Sequence, residues 1–284
     1  MNKPLLSPLG SAIVGFALLF SSTLDAKPLS RVISAGANIT EIIIALDAQQ
    51  QLVAVDSTSQ LPNGSALPVV GYHRQLSAEG LLALNPDAVI GSEDIGPDSS
   101  IAQLEQAGIA VHKLNSQSSI ASLKQRIDQL ANLMGHPQQG QALQVNLAEQ
   151  LTQLEHQAAS AKAVKTLFFI SHDAKKMLAA GDQTTANSII ELAGAVNLAK
   201  PHINSYKPLS EEAILSLQPE LLLFSQRSLD KLGGIAGVLK SFPVLAATPA
   251  GKSKAIYAID GHALIGGLGL ASIDEAVRLT QRLQ

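Results

Sequence analysis

The sequence predicts an α/β fold of two similar lobes, with central parallel sheets, joined by one long helix. Three observations support this. Strand-like apolar runs alternate with helix-like segments in the first part of the chain, and again after residue 165. A long stretch rich in Gln, Ala, Leu and Glu lies between the two alternating regions. One helix–strand unit occurs once on each side of that stretch. Alternation of this kind favours strands paired in parallel through helical crossovers.

In chain order, Arg31–Ser34 reads as a strand, and a tight turn at Ala35-Gly36-Ala37-Asn38 leads into a helix over Thr40–Leu46. Strand Leu52–Asp56 precedes turn-forming Pro62-Asn63-Gly64 and the pair Val69-Val70, which ends at Gly71. A helix over Ser77–Leu84, strand Asp87–Gly91, a helix near Ile101–Ala107 and strand Val111–Leu114 complete the first region. An amphipathic helix from Ser119 to about Met134 stops at Gly135-His136-Pro137.

Beyond it, Leu143, Leu147, Leu151 and Leu154 recur at helical spacing in a run without Pro. Its residues are strong helix formers, so one helix is preferred to two broken at Gly140. At about 1.5 Å per residue, roughly 25 residues span about 38 Å, the height of two small lobes. The second region then gives strand Thr166–Ser171, an extended Met177–Ala180, and a helix from Thr185 to Ala193 ending at Gly194. Helix Ser210–Leu217, strand Leu221–Ser225, a Gly-containing helical segment to Lys240, strand Ile256–Ile259 and a terminal helix through Leu283 follow.

The internal repeat pairs Ser77-Ala78-Glu79 with Ser210-Glu211-Glu212, and Leu84-Asn85-Pro86-Asp87 with Leu217-Gln218-Pro219-Glu220. Each copy has a Ser suited to cap a helix, acids in the first turn, a Pro stop and an apolar strand. The expected organisation is a signal peptide over 1–26, an N-terminal lobe over 27–136, an interlobe helix over 137–163 and a C-terminal lobe over 164–284.

Residues 1–26 carry Lys3, an apolar stretch from Ala12 to Phe20, and Leu24-Asp25-Ala26 with a small residue at the expected cleavage point. The apolar run is short for a membrane span. A cleaved signal peptide and a periplasmic location are therefore expected, with an uncleaved anchor as the alternative. The chain contains no Cys, which excludes disulfides, thiolate metal sites, lipid anchoring through an N-terminal Cys and thioether-linked haem. With 46% hydrophobic and 15% charged residues it is globular rather than disordered, and a net charge of −3 argues against a nucleic-acid partner.

The repeated Ser-x-Glu-x4-Leu-x-Pro-acidic pattern resembles the solute-binding proteins of ABC importers for siderophores, cobalamin and haem. Arg31-Val32-Ile33-Ser34-Ala35-Gly36 with Thr40-Glu41, and Ala193-Gly194-Ala195-Val196-Asn197, extend the likeness over the mature chain. The resemblance implies a rigid backbone helix and a ligand cleft between the lobes. It also implies docking of Glu79 and Glu212 onto arginines of an inner-membrane permease served by an ATPase. Glu211 is an adjacent substitute, and helix-dipole stabilisation is an alternative role for these acids.

Gly71-Tyr72-His73-Arg74 is similar to the Gly-Tyr-x-Arg of the haem-binding members, the HmuT type. By that likeness haem is the transported ligand, Tyr72 its axial iron (metal) ligand and Arg74 a basic companion. Ferric iron is a hard Lewis acid for which Tyr is an established axial ligand type. His73 points to the other side of an extended segment and is expected behind the ligand as a haem-binding accessory. His172, after a second-lobe strand, is a candidate iron ligand from the facing wall, and Arg227 a candidate for the propionates, with Lys207 a further one.

Met177, Tyr206, Tyr257 and His262 are possible pocket residues, while His112, His136 and His156 read as structural. An outer-membrane haem receptor system is a compatible partner upstream. The alternatives are a ferric siderophore or cobalamin carrier of the same fold, a carrier of bare Zn²⁺ or Mn²⁺ through His73, His172 and Asp260, and a periplasmic enzyme. Enzyme motifs such as Gly-x-Ser-x-Gly or His-Glu-x-x-His are absent from the sequence, and consecutive Ser171-His172-Asp173 is not a spatial triad.

Overall fold

The computed structural model describes residues 28–160, 163–173 and 175–284. The expected signal peptide over 1–26 lies outside the described residues.

The first sheet has strands β1 (Val32–Ala35), β2 (Leu52–Val55), β3 (Ala88–Ser92) and β4 (Ala110–Leu114) in the order β2-β1-β3-β4, all parallel. Helices α1 (Ala37–Ala45), α2 (Ala78–Leu82) and α3 (Asp98–Gln106) are its crossovers. Then α4 (Ile120–Met134) begins at Ser119, whose hydroxyl accepts the Ser122 N–H, and ends at Gly135 in the left-handed region, φ 75°. This is the stop expected from Gly135-His136-Pro137.

The central run forms one helix, α5 (Pro137–Ser160). Gly140 does not break it, and a side chain there would collide with Ala131 of α4. The glycine is therefore needed for the close approach of two helices rather than for a turn. Leu147 and Leu154 are buried, with Leu143 and Leu151 packed beside them.

The second sheet comprises β5 (Lys165–Asp173), β6 (Lys176–Ala180), β7 (Val196–Asn197), β8 (Tyr206–Lys207), β9 (Leu221–Ser225) and β10 (Ile256–Ile259). Its order is β10-β9-β5-β6-β8, with β7 beside the start of β5. Strands β10, β9 and β5 are parallel, whereas β6 runs antiparallel to both β5 and β8. The second lobe is thus mixed rather than purely parallel. The link between β5 and β6 is too short for a crossover, so the chain can only turn back as a hairpin.

Helices α6 (Thr185–Leu192), α7 (Glu211–Leu217), α8 (Gln226–Lys231), α9 (Gly234–Ser241), α10 (Pro243–Ala246), α11 (Pro249–Ser253) and α12 (Leu270–Leu283) complete the chain. Among the described residues no helix is long and apolar enough to cross a membrane.

The repeat has a structural counterpart at the level of hydrogen bonds. Ser77 accepts the Gly80 N–H in α2, and Ser210 accepts the Ala213 N–H in α7. Asp87, after Pro86, accepts the backbone N–H groups of Ser30 and Arg31 just before β1, at 2.9 Å each. Glu220, after Pro219, accepts the Lys165 N–H at the start of β5, at 3.1 Å. The acid of each copy therefore ties the strand that follows it, β3 or β9, to the strand that opens its lobe, β1 or β5.

The lobes meet along α12, which packs on α1, α5 and α6. Glu41 of α1 accepts the N–H groups of Leu270 (2.6 Å) and Ala271 (3.0 Å), satisfying two unpaired donors of the first turn of α12. Fully buried Arg126 donates to the carbonyls of Asn115 (2.7 Å) and Leu268. Asn38 donates to the Gly266 carbonyl. Ser188 of α6 donates to the Ser118 carbonyl at 2.6 Å.

Burial pushes the Glu41 carboxyl up to about 7, against the lowering effect of its two backbone donors and of Arg126, while burial lowers Arg126 to about 10. Because the folded protein holds this proton where the unfolded chain has released it, the contribution of Glu41 to stability falls as pH rises from about 4.5 to about 7. The Glu41→Gln variant cannot titrate, so unfolding measured across that window is expected to show a shallower pH dependence than wild type. The difference is bounded by about 3 kcal/mol. Equal pH profiles for the two proteins would exclude this role.

Candidate ligand-binding site

The carboxyl ends of the parallel strands in both sheets open toward one interlobe cavity of about 960 Å³. Clefts at strand ends are the usual binding positions of α/β sheets. From the first lobe it is lined by Ser57, Thr58 and Tyr72. The second lobe contributes Gln226, Arg227, Asp230 and Lys231 of α8, and Asp260, Gly261, His262 and Ile265 after β10.

Tyr72 is 42% exposed and sits in a turn that follows Gly71, whose φ of 93° suits glycine. The turn is pinned at the backbone: Ser57 N–H donates to Gly71 (2.8 Å), Gln75 N–H to Tyr72 (2.7 Å) and Gly96 N–H to His73 (3.0 Å).

Beneath it lies Asp56, fully buried. Its carboxylate accepts the Gly36 N–H (3.1 Å), the hydroxyls of Thr58 and Ser59 (2.7 Å each) and Nδ1 of His73 (3.1 Å). Burial alone would raise its pKa, but the bonds from His73, Ser59 and Thr58 outweigh burial and hold the carboxyl below its usual range. His73 is only 2% exposed, and its ring lies 4.4 Å from that of Tyr72, tilted by 59°. It is therefore a support behind Tyr72 and does not line the cavity. This is the inward orientation expected for His73 beside Tyr72, and its imidazole is one of four partners of the Asp56 carboxylate.

Arg74 is 55% exposed, donates to Asp94 at 2.6 Å and is not among the cavity-lining residues. Arg227 does line the cavity. It is held through the neighbouring Ser228, which exchanges hydrogen bonds with the Ser171 backbone of β5 (2.9 and 3.0 Å). His172 is the penultimate residue of β5, and its side chain lies outside the described residues.

Of the three tyrosines, Tyr72 alone reaches the cavity. Tyr206 is packed edge-on to Phe168, with its pKa pushed up to about 12 by burial, and Tyr257 lies under the Arg282 guanidinium at 4.8 Å. Met177 packs into the second-lobe core and Lys207 is not among the cavity residues. Glu79 and Glu212 are exposed in the first turns of α2 and α7.

Sequence reasoning missed Asp56 as an anchor, although the cluster Asp56-Ser57-Thr58-Ser59 at a strand end was a legible signal. It also missed the pairing of Asp260 with His262, whose backbone N–H and Nδ1 both lie 2.9 Å from Asp260 Oδ1. Among the described residues no group of three or more His, Cys, Asp or Glu side chains is gathered as a metal site.

A family model for periplasmic binding proteins matches residues 32–263. The chain belongs to this family. Its structure is similar to that of the periplasmic haem-binding protein HutB of Vibrio cholerae, with 49% identity, a TM-score of 0.85, and coverage of 89% of this chain and 98% of that one. It is also similar to a periplasmic haem-binding protein from Pseudomonas aeruginosa, with 35% identity, a TM-score of 0.83 and coverage of 90% and 92%. Among curated relatives, a vitamin B12-binding protein of Vibrio parahaemolyticus is 26% identical over 230 residues, 80% of this chain and 82% of its own. These family members are binding proteins, and membership in the periplasmic binding protein family implies a periplasmic role.

The Asp56 cluster generates a stability prediction. Asp56→Ala removes the shared acceptor of the Gly36 N–H, Thr58, Ser59 and His73 in a buried site, which is expected to cost about 3 kcal/mol in chemical denaturation. A loss within experimental error of zero would show that the cluster does not anchor the lobe.

Proposed function

We propose that this periplasmic binding protein captures haem in the interlobe cleft and hands it to an inner-membrane ABC permease served by its ATPase. One observation carries the reading: the single tyrosine at the cavity, Tyr72, belongs to Gly71-Tyr72-x-Arg74 and faces the cationic Arg227 and Lys231 across the cleft. The named haem-binding neighbours at 49% and 35% identity support it.

Ferric iron takes the phenolate oxygen of Tyr72 as an axial ligand, since a trivalent metal favours the ionised phenol. Arg227, one turn from Lys231 on α8, presents charge-assisted donors to the propionates. Arg74 joins them only by exchanging its Asp94 partner for a propionate. His172 is the second-lobe candidate for the other face of the iron. The working division is a signal peptide over 1–26, lobes over 27–136 and 164–284, and an interlobe helix over 137–163. Glu79 and Glu212, at equivalent places on the two repeated helices, serve as docking carboxylates for permease arginines. An outer-membrane haem receptor system is the compatible supplier.

The vitamin B12-binding relatives support a second reading, cobalamin. Against it, Tyr72 is the only Phe, Tyr or Trp among the cavity-lining residues. Parallel titrations with hemin and cyanocobalamin separate the two. Hemin is expected to give a tyrosinate-type spectrum that Tyr72→Ala loses along with about 100-fold in affinity, about 3 kcal/mol. Uptake of cyanocobalamin alone would overturn the haem reading.

For delivery, the Glu79→Ala/Glu212→Ala protein is expected to bind hemin as wild type does, yet transfer it poorly to vesicles containing the permease. Normal transfer would remove both residues from docking.

A further inference from the structure

We propose that Glu41 is a pH-responsive positioning residue of the cargo cleft. Through the glycine-rich segment 266–269 it sets how firmly the second-lobe wall is held to the first lobe, and with it the rate at which cargo leaves. The part concerning cargo rests on the haem reading above.

Asp260, Gly261, His262 and Ile265 form the cavity wall after β10, and Ile265 runs directly into the segment 266–269. That segment lies so close to the first lobe that side chains are excluded from it. A Cβ on Gly266 would collide with Asn38, one on Gly267 with the Ser116 carbonyl, and one on Gly269 with the Glu41 carboxyl. Leu268 is fully buried, and its carbonyl accepts from Arg126. Helix α12 follows at once, with the Leu270 and Ala271 N–H groups on the Glu41 carboxyl at 2.6 and 3.0 Å. The cavity wall thus hangs from a strap anchored in the first lobe.

Helix α1, which carries Glu41, packs on α4, α12, β1, β3 and the turn His262–Leu264. Helix α4 brings Arg126 to Glu41 and α12 brings Asp274. The two strands carry no charged residue, and His262 of the turn is held by Asp260. Burial, helped by Asp274, keeps the proton on Glu41 up to about pH 7, whereas a carboxyl in water releases it near 4.5. Loosening the strap admits water to Glu41 and releases that proton. Rising pH therefore favours the loosened wall and falling pH the tight one, and from about pH 6 to about pH 8 the balance shifts by at most about tenfold. The seam also has room for a second arrangement. Asn38 Oδ1 and Arg126 Nε are buried there without a hydrogen-bond partner, so moving the strap breaks fewer bonds than a fully satisfied seam would lose.

The test uses the full-length mature protein, in which the lack of Cys lets two spin labels be placed specifically. Gln103→Cys on α3 and Lys240→Cys on α9 are exposed, one on each lobe, and report the interlobe distance by double electron–electron resonance. Without any ligand, the distance distribution with Glu41 in place is expected to change between about pH 6 and pH 8. With Glu41→Gln, a neutral side chain of the same shape, it is expected to stay as it is at pH 6. The rate of hemin release to excess apo-globin, divided by that of Glu41→Gln, is expected to rise by up to about tenfold over the same range. The division removes the titration of Tyr72 and His262, which both proteins share. A distance that does not change with pH when Glu41 is in place overturns the proposal without recourse to any variant. A change that Glu41→Gln shares, or a release ratio that stays constant, also overturns it; a purely structural Glu41 would alter unfolding and leave both readouts flat. Failure of wild type to take up hemin overturns the haem reading and leaves the interlobe distance to decide the role of Glu41.

Discussion

The buried carboxylate of Asp56 lies where the loops after β1 and β2 meet the turn that carries Tyr72, and it accepts from all three. A charge in such a place is tolerated only when its lone pairs are filled. The cluster therefore specifies one arrangement of these loops rather than a family of similar ones. Tyr72 itself makes no hydrogen bond to Asp56. It is presented to the cleft while its neighbour His73 is drawn inward to the Asp56 carboxylate. The exposure of the one residue and the burial of the other are two sides of the same constraint.

The cleft depends in turn on the seam between the lobes. Glu41, Arg126 and Asn38 of the first lobe all reach the segment from Gly266 to Ala271 of the second, where backbone groups ahead of and within the first turn of α12 need partners. With α5 spanning both lobes and α12 folded back across α1, α5 and α6, the walls of the cavity are held by helix packing and by polar contacts at once. A binder built this way spends little on ordering itself when the ligand arrives, which suits a carrier that must also release its cargo.

Chemistry is divided between the two walls. The first lobe offers a phenol on a pinned turn, and the second offers the cations of α8 and the imidazole of the segment after β10. A flat dianionic metal complex needs both kinds of partner. The acids assigned to docking lie instead on exposed first turns of α2 and α7, one per lobe. Duplicating one helix–strand unit thus places equivalent exposed carboxylates on the two lobes, outside the cavity lining.

Most of the fold was legible because its signals are local. Serine caps, the Gly135 stop, leucines at helical spacing along α5 and the two helix–Pro–strand units depend on residues within a few positions of one another. Tyr72 was legible too, through its immediate neighbours. The direction of β6 was not, since an extended Met177–Ala180 reads the same in either orientation and only the hairpin with β5 decides it. Nor were the pairing of Arg74 with Asp94 or the contact of Gln60 with His262, some 200 residues apart in the chain. The sequence by itself determined the two-lobe α/β plan, the single long helix and the tyrosine at the strand end. The tertiary structure alone decided which polar side chains serve the cleft and which are spent on holding it, because that choice is made by partners that meet only when distant loops are packed together.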